Sequence, residues 1–472
     1  MLDENITYFE KQARIYPRSV KGRYRRLKWA AIAVLLGIYY ATPWLRWHRG
    51  ENLPDQAVLI DMPARRAYFF GLEIWPDEVY FITGILVLAA VGLFFVTSLL
   101  GRVWCGYACP QTVWTDLFVW VEEKIQGDRN RRIRLDSQGF TFERIWKKTV
   151  THALWILIGL CTGGAWVFYF NDAPALFDHI RHFDLPWSVG SWILGLTAST
   201  YLMAGYAREQ VCKYMCPYAR FQSAMFDRDT LIIGYDAGRG EPRGKHKKGT
   251  SWEGKGHCID CTQCVLVCPV GIDIRNGLQM ECIACGLCVD ACNDVMDKVD
   301  LPRGLIRYDT QRNYDDRQAG RATQSRLRLW RPRTFYYLGV LSLVSALMVY
   351  GLFARPRMEL HAIQNRNPLF VKLSDGSIRN SYVVKILNKT HEARHFALGV
   401  TGVPVKRLEL QSATPLDPAD LVVEGGMVAQ YRVMLVADKQ PAYRLPITLT
   451  AQEIDGGLHD SAATIFVSGD EP

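Results

Sequence analysis

Five stretches of this chain stay apolar over roughly the 20 residues that a bilayer core requires. They run at about 28–47, 79–100, 149–170, 187–207 and 334–354. The stretch from Val79 to Leu100 carries no charge, whereas the first contains Pro43 and ends among Trp44 and Trp47. Trp and Tyr gather at span ends because an apolar ring with a polar edge suits the membrane–water boundary. The pattern predicts five transmembrane helices, with the first retained as an anchor rather than cleaved as a signal peptide. Past Arg357 the period changes from helical to two. Ser381–Asn388, Val428–Val436 and Ala463–Val467 are β-rich runs, separated by turn signals at Asp375-Gly376, Gly425-Gly426 and Asp455-Gly456-Gly457. About seven or eight short strands in this region predict a β-sandwich of immunoglobulin type.

Charge sets the expected orientation. The net charge is +9, but Lys and Arg are distributed unevenly. The tail 1–28 has eight, segment 101–148 nine and segment 208–333 twenty-one. Segment 48–78 has three against six Asp/Glu, and 171–186 has one against three. The positive-inside bias then puts the tail, 101–148 and 208–333 in the cytoplasm and the C-terminal region outside. The expected organisation is a basic tail (1–27), a four-span membrane domain (28–233), a ferredoxin-like iron–sulfur domain with basic linkers (234–333), a fifth span (334–354) and an outer immunoglobulin-like sandwich (355–472). The Gly- and Lys-rich stretch 236–257 reads as a flexible linker near anionic lipid. Nothing in its basic run reads as a nucleic-acid surface.

Cysteine changes the picture most. There are 13, an odd number with tight spacing, which argues for reduced, metal-binding thiols rather than a disulfide framework. Eight form two runs: Cys258-x2-Cys261-x2-Cys264-x3-Cys268-Pro269 and Cys282-x2-Cys285-x2-Cys288-x3-Cys292. This is the ligand spacing of two cubane 4Fe-4S clusters, in which the fourth cysteine of each run reaches the other cluster. The first set is then Cys258, Cys261, Cys264 and Cys292. The second is Cys282, Cys285, Cys288 and Cys268. Zinc ribbons use pairs of cysteines instead. Only 13 residues separate Cys268 from Cys282, tight for a full ferredoxin sheet, so this region is expected to be mostly helix and loop.

Four more cysteines form a second constellation. Cys105-Gly-Tyr107-Ala-Cys109-Pro110 follows the second span, and Cys212-Lys-Tyr214-Met-Cys216-Pro217 follows the fourth. The repeat suggests two related helical hairpins. Residues i and i+4 share a helix face, and the proline after each pair marks a break or a new helix start. Four soft thiols could meet there, suited to Cu(I), zinc or an iron–sulfur cluster, with Met215 and Met225 nearby. Cys161 reads as a small packing residue among Gly159, Gly163 and Gly164, and His152 as locally satisfied. His179 and His182 form a weak metal pair on an outside loop. No nucleotide-binding Gly motif, P-loop or C-x-x-C-H haem site is present, so electrons must arrive from another protein or from quinol.

The five spans, the paired Cys-x3-Cys-Pro motifs, the double cluster run and the C-terminal sandwich resemble the cytochrome c oxidase accessory protein family, the FixG/RdxA-type membrane polyferredoxins of bacteria. The stretch from Gly376 to Lys389 also looks like that family's C-terminal domain. The resemblance implies a protein of the bacterial cytoplasmic membrane that assists assembly of a cbb-type oxidase by reducing Cu(II) to Cu(I). Its partners would be a cytoplasmic electron donor, a copper transporter or chaperone and terminal oxidase subunits, with a homo-oligomer left open. The eight cysteines map onto the family's cluster ligands, and Cys105, Cys109, Cys212 and Cys216 onto its membrane-proximal cysteines. One departure is Asn293, where proline follows the other run's last cysteine. Two other readings compete: an electron relay feeding a periplasmic reductase, and an assembly scaffold that senses redox state.

Overall fold

A computed structural model describes residues 14–50, 53–246, 252–323, 328–411 and 416–469. The chain divides into two compact units, Met1–Leu45 with Gln56–Met348, and Arg46–Asp55 with Val349–Pro472.

In the first unit three helices are long and apolar enough to cross a membrane: Pro76–Leu100, Phe142–Val167 and Pro332–Ala354. Their outward residues are apolar, among them Leu86, Leu157 and Leu347, as a lipid-facing surface requires. The other two expected spans are built differently. The first helix, Arg23–Ala41, opens with Arg23, Arg25, Arg26 and Lys28 and gives way to a 3-10 turn at Thr42–Trp44. Pro43 stands in that turn and cannot donate to a continuing helix. The fourth is α-helical only over Trp187–Thr200 and continues as π-helix over Tyr201–Ala207. A single α-turn at Arg208–Gln210 leads to a second π-helical stretch, Val211–Met215. Such wide turns recur at functional sites, and this one ends on the second cysteine pair.

Glycine brings two of the helices together. A Cβ at Gly163 would lie 2.8 Å from the Ile193 carbonyl oxygen, and one at Gly159 3.2 Å from that of Thr197. Small residues thus let Phe142–Val167 and Trp187–Thr200 pack closely. Cys161, expected to pack there, is exposed instead, because the contact uses the face carrying the two glycines. The loop after the first helix holds a three-stranded meander of Val58–Asp61, Arg66–Phe69 and Leu72–Ile74.

Segment 101–148, expected as a cytoplasmic loop, is largely helical: Val103–Tyr107, Pro110–Gln126 and Arg129–Ser137. Helix Pro110–Gln126 is bound to its surroundings by buried charge. Asp116 pairs with Arg25 at 2.7 Å and Lys28 at 3.4 Å. Glu122 accepts from Arg208 at 2.7 Å, Arg132 at 3.1 Å and Arg14 at 3.2 Å.

The iron–sulfur segment is mostly helix and loop, closed by a two-stranded ribbon of Leu231–Tyr235 and Ile306–Thr310. The ribbon's first strand spans position 234, where the iron–sulfur segment was expected to begin. The expected linker is partly folded: Ala237–Gly240 is helical, Gly244 N–H donates to the Cys258 carbonyl, and Cys258 N–H donates to the Gly240 carbonyl. Residues 247–251 of that linker, and 1–13 of the tail, lie outside the described residues.

The second unit is a two-sheet sandwich. One sheet orders Val405–Gln411, Met427–Ala437, Ile378–Asn388 and Met358–Gln364, with Val371–Lys372 on the edge of Ile378–Asn388. The other orders Leu421–Val423, Arg394–Thr401, Arg444–Glu453 and His459–Val467. Period two is visible in Ile378–Asn388, where Ile378, Asn380, Tyr382, Val384 and Ile386 are buried. They pack with Phe396, Leu449 and Phe466. Buried Asn380 is satisfied by donating to the Val467 carbonyl and accepting from its N–H.

Burial alone would raise the pKa of Glu122, but Arg208, Arg132 and Arg14 together hold it below the usual carboxylate value. Its stabilising contribution is therefore present above the unfolded pKa of about 4.3 and lost as pH falls through the lower folded value. Glu122→Gln is expected to cost about 3–5 kcal/mol by leaving buried guanidinium groups uncompensated. Thermal melts of the detergent-solubilised protein should show a lower midpoint for the variant at pH 7 and a shallower decline of that midpoint on acidification.

Candidate iron–sulfur and thiol sites

The two cysteine runs are folded by the same backbone device. In the first, Asp260 and Thr262 on either side of Cys261 take left-handed φ values of 51° and 54°. In the second, Ala284 and Gly286 flank Cys285 at 51° and 76°. Left-handed geometry costs a non-glycine residue about 1–3 kcal/mol, and three of these four positions are not glycine. Turns of this kind aim successive amide N–H groups into a concavity suited to an anion, as at many iron–sulfur sites.

Each concavity is ringed by one of the two expected cysteine sets. Cys258, Cys261, Cys264 and Cys292 line one void, closed by Tyr235, Met296, Leu305 and Ile306. Cys268, Cys282, Cys285 and Cys288 line a second, closed by Ile233, Val270, Ile272 and Ile274. Cys292 thus lies beside the first three cysteines of the first run, and Cys268 beside the first three of the second. Among the described residues no three His, Cys, Asp or Glu side chains close on a single ion. Two matched four-thiol voids with apolar walls therefore fit cubane clusters better than lone metal ions. Asn293, where a proline was wanting, stays inside helix Leu287–Lys298 and accepts from Gly304 N–H at 2.9 Å. Its departure from the pattern leaves Cys292 in the ring.

Burial raises the thiols: Cys264, Cys282 and Cys292 are pushed up to about 12. Backbone N–H groups oppose this. Those of Val270, Gly271 and Ile272 point at the Cys268 sulfur, that of Ala284 at Cys282, and that of Ile306 at Cys292. These donors favour sulfur carrying negative charge. The two voids adjoin, since Cys264 lines both.

The membrane-proximal motifs share their own geometry. Cys105 lies in helix Val103–Tyr107, while Cys109 is extended (φ −61°, ψ 127°) and caps the helix begun by Pro110. Cys212 lies in the π-helical turn, and Cys216 (φ −83°, ψ 107°) precedes the helix begun by Pro217. Both prolines start helices, as their fixed φ favours. The four cysteines are electrostatic neighbours: burial raises Cys105, with Cys109 and Cys216 adding to it, and burial raises Cys212 to about 12 with Cys109, Cys105 and Cys216 contributing. The structure thus gathers all four, without closing them on one ion.

The first motif also docks on the second cluster loop. Cys105 shares a buried apolar cluster with Ile283 and Cys285, flanked by Cys268, Cys282 and Cys288. Tyr107 Oη donates to the Cys285 carbonyl at 2.9 Å. Arg102, 2 % exposed, donates to the Met280 carbonyl and to Gln222, and lies 3.9 Å from the Cys105 sulfur. Its charge lowers the thiol pKa of Cys105, Cys212 and Cys282 alike. Sequence reading missed Arg102 and Gln222, which carry no spacing signal. Of the remaining candidates, His152 is satisfied by Tyr201 at 3.0 Å. His179 lies 3.6 Å from Asp184 and gathers no metal site. Met215 is exposed.

Three family models match the chain. The "4Fe-4S dicluster domain" family matches residues 207–311, a "4Fe-4S binding domain" family residues 82–132, and the "IG-like fold at C-terminal of FixG" family residues 348–469. The nitrogen fixation protein FixG of Rhizobium meliloti is 48% identical over 428 residues, 85% of this chain and 82% of that protein. The chain belongs to the FixG/RdxA family. Protein RdxA of Cereibacter sphaeroides is 49% identical over 418 residues, 88% of each chain. A crystal structure of a FixG-related protein from Vibrio parahaemolyticus aligns with 24% of this chain and 98% of that one, at 21% identity and a TM-score of 0.21. As a FixG/RdxA protein with iron–sulfur domains and apolar helices, it is an iron–sulfur electron-transfer protein of the membrane.

The docking contact is testable at Gly106. A Cβ there would lie 2.7 Å from the Ile283 carbonyl oxygen and 2.9 Å from that of Ala284, backbone atoms that cannot turn aside. Gly106→Ala is expected to displace the loop carrying Cys282 and Cys285. Iron should fall from about eight to about four per chain, one cubane's worth, with the EPR signal of the other cluster retained.

Proposed function

We propose that this FixG/RdxA protein reduces Cu(II) to Cu(I) at Cys105, Cys109, Cys212 and Cys216 during assembly of a cbb-type cytochrome c oxidase. The observation that carries the reading is the docking of the Cys105 motif on the second cluster loop. It leaves no intervening domain between the proposed electron store and the four thiols. Cys258, Cys261, Cys264 and Cys292 would hold one 4Fe-4S cluster, and Cys268, Cys282, Cys285 and Cys288 the other. Bound there, such clusters supply one-electron transfer.

The chain's own residues then have distinct tasks. The apolar walls of both voids exclude water, and the backbone N–H groups on Cys268, Cys282 and Cys292 stabilise negative charge on sulfur. Arg102 compensates charge between Cys282 and the four thiols. Cu(II) gains one electron at those thiols. Because soft thiolates bind Cu(I) more favourably than Cu(II), binding and reduction reinforce each other. Burial raises the Cys105 and Cys212 thiols, so capture of copper there must release protons.

Five spans would place the N-terminus and clusters in the bacterial cytoplasm and the sandwich in the periplasm. Electrons would come from a donor outside the chain. Cu(I) would pass to a copper transporter or chaperone and then to terminal oxidase subunits, with the outer domain available for docking.

Dithionite-reduced protein mixed anaerobically with Cu(II) should form Cu(I) in proportion to reduced cluster, read with a Cu(I)-specific chelator. The Cys105/Cys109/Cys212/Cys216 quadruple serine variant should retain its cluster iron and lose this activity. Equal copper reduction by that variant would remove the four thiols from the reaction.

A further inference from the structure

A cavity of ≈ 1270 Å³ in the first unit is not used by the copper reading. Its walls come from the start of the first helix, helix Pro110–Gln126, the Arg208–Cys212 turn and the iron–sulfur segment. Cys261 of the first void lines it at one side and Cys212 at another. Trp29 and Trp120 meet there edge to face, with ring centroids 5.9 Å apart. Beyond Trp29 the first helix turns outward apolar residues, Val34 and Ile38 among them. The cavity therefore joins a lipid-facing helix flank to a cluster ligand.

Its polar groups are selective. Part of the positive charge is committed, Arg25 and Lys28 to Asp116, Arg208 to Glu122, and Lys298 to Asp294, while Lys21, Arg26 and Lys124 on the wall are exposed. The Glu123 side chain, half-buried, makes no hydrogen bond or ion pair among the described residues, and Glu209 is likewise half-buried on the wall. Burial raises the Glu123 pKa against the pull of Arg132 and Arg25, with Asp128 and Asp116 adding to the rise. A carboxylate of that kind accepts a proton readily. Aromatic walls, two carboxylates and an adjoining electron acceptor suit a hydrophobic diol that gives up electrons and protons together.

We propose that this cavity binds a membrane quinol and is where electrons enter the protein. The inference rests on the two-cluster reading. Oxidation of one quinol to quinone releases two electrons and two protons. The electrons pass through Cys261 one to each of the two cysteine-bound clusters, and the protons pass to the Glu123 and Glu209 carboxylates. The ring rests against the Trp29–Trp120 pair, with its isoprenoid tail along the first helix. One quinol then supplies the reduction of two Cu(II), and the donor is a lipid-soluble molecule rather than a cytoplasmic protein.

The full-length protein in nanodiscs tests this by binding and by rate. A photoreactive azidoquinone should label peptides around Trp29 and Trp120, with excess menadione competing. The double variant Trp29→Ala/Trp120→Ala should lose labelling at least about tenfold, since the two rings supply much of the binding area. Under anaerobic conditions menadiol should bleach the cluster absorbance with saturable kinetics, and Glu123→Gln should slow this by about a hundredfold, the scale of a lost general base. Iron content and the dithionite-reduced EPR spectrum serve as the check that each variant is folded and loaded. Reduction by dithionite but not by menadiol, labelling elsewhere, or equal rates in wild type and Glu123→Gln would each overturn the quinol site and leave the cluster reading standing. Reduction only by a reduced acidic ferredoxin would also overturn it. No cluster signal with dithionite would instead overturn the reading on which it rests.

Discussion

The close approach of Gly106 to the Ile283 and Ala284 carbonyls is the contact on which the rest depends. A side chain there would force apart the turn after a membrane helix and the loop that carries two cluster cysteines. With hydrogen in place of Cβ, Tyr107 reaches the Cys285 carbonyl and Arg102 reaches that of Met280. Three contacts within six residues hold one thiol motif against one cluster loop. Electron transfer needs short distances, and here distance is set by packing rather than by a flexible tether.

Charge supports that packing from the other side. Helix Pro110–Gln126 begins at Cys109 and would be free to tilt if only its cap were held. Asp116 and Glu122 instead anchor it to Arg25, Lys28, Arg132 and Arg208. Buried ion networks of this kind add modest net stability but penalise wrong arrangements heavily. The same Arg208 starts the turn that leads into Cys212. One carboxylate, Glu122, thereby ties the two thiol motifs to a common frame.

The cluster loops carry their cost openly. Asp260, Thr262 and Ala284 are held in a backbone region that side chains avoid. The matching positions in both runs point to a requirement of the bound group, because nothing in the surrounding helices demands the turn twice. Buried thiols held near pKa 12 and amides aimed at sulfur pull in opposite directions. The balance favours a site that is neutral when empty and accepts negative charge once metal arrives.

Much of this was legible in the chain itself. Cysteine spacing sorts the eight ligands into two crossed sets because three close thiols cannot complete a cubane from one loop. Period-two burial marks Ile378–Asn388 as a core strand. Proline after Cys109 and Cys216 marks helix starts, because its ring presets φ and needs no donor. Tertiary structure alone decided the remainder. Cys161 turns outward because the neighbouring glycines own the contact face. Residues 201–207 and 211–215 widen into π-turns that no local pattern announces. Arg102, Gln222 and Glu122 look like ordinary polar residues until partners 10 to 178 positions away bury them. Spacing encodes which thiols can share a cluster, whereas the distance between cluster and thiol pair, and the charge that fills it, exists only once separate segments have packed.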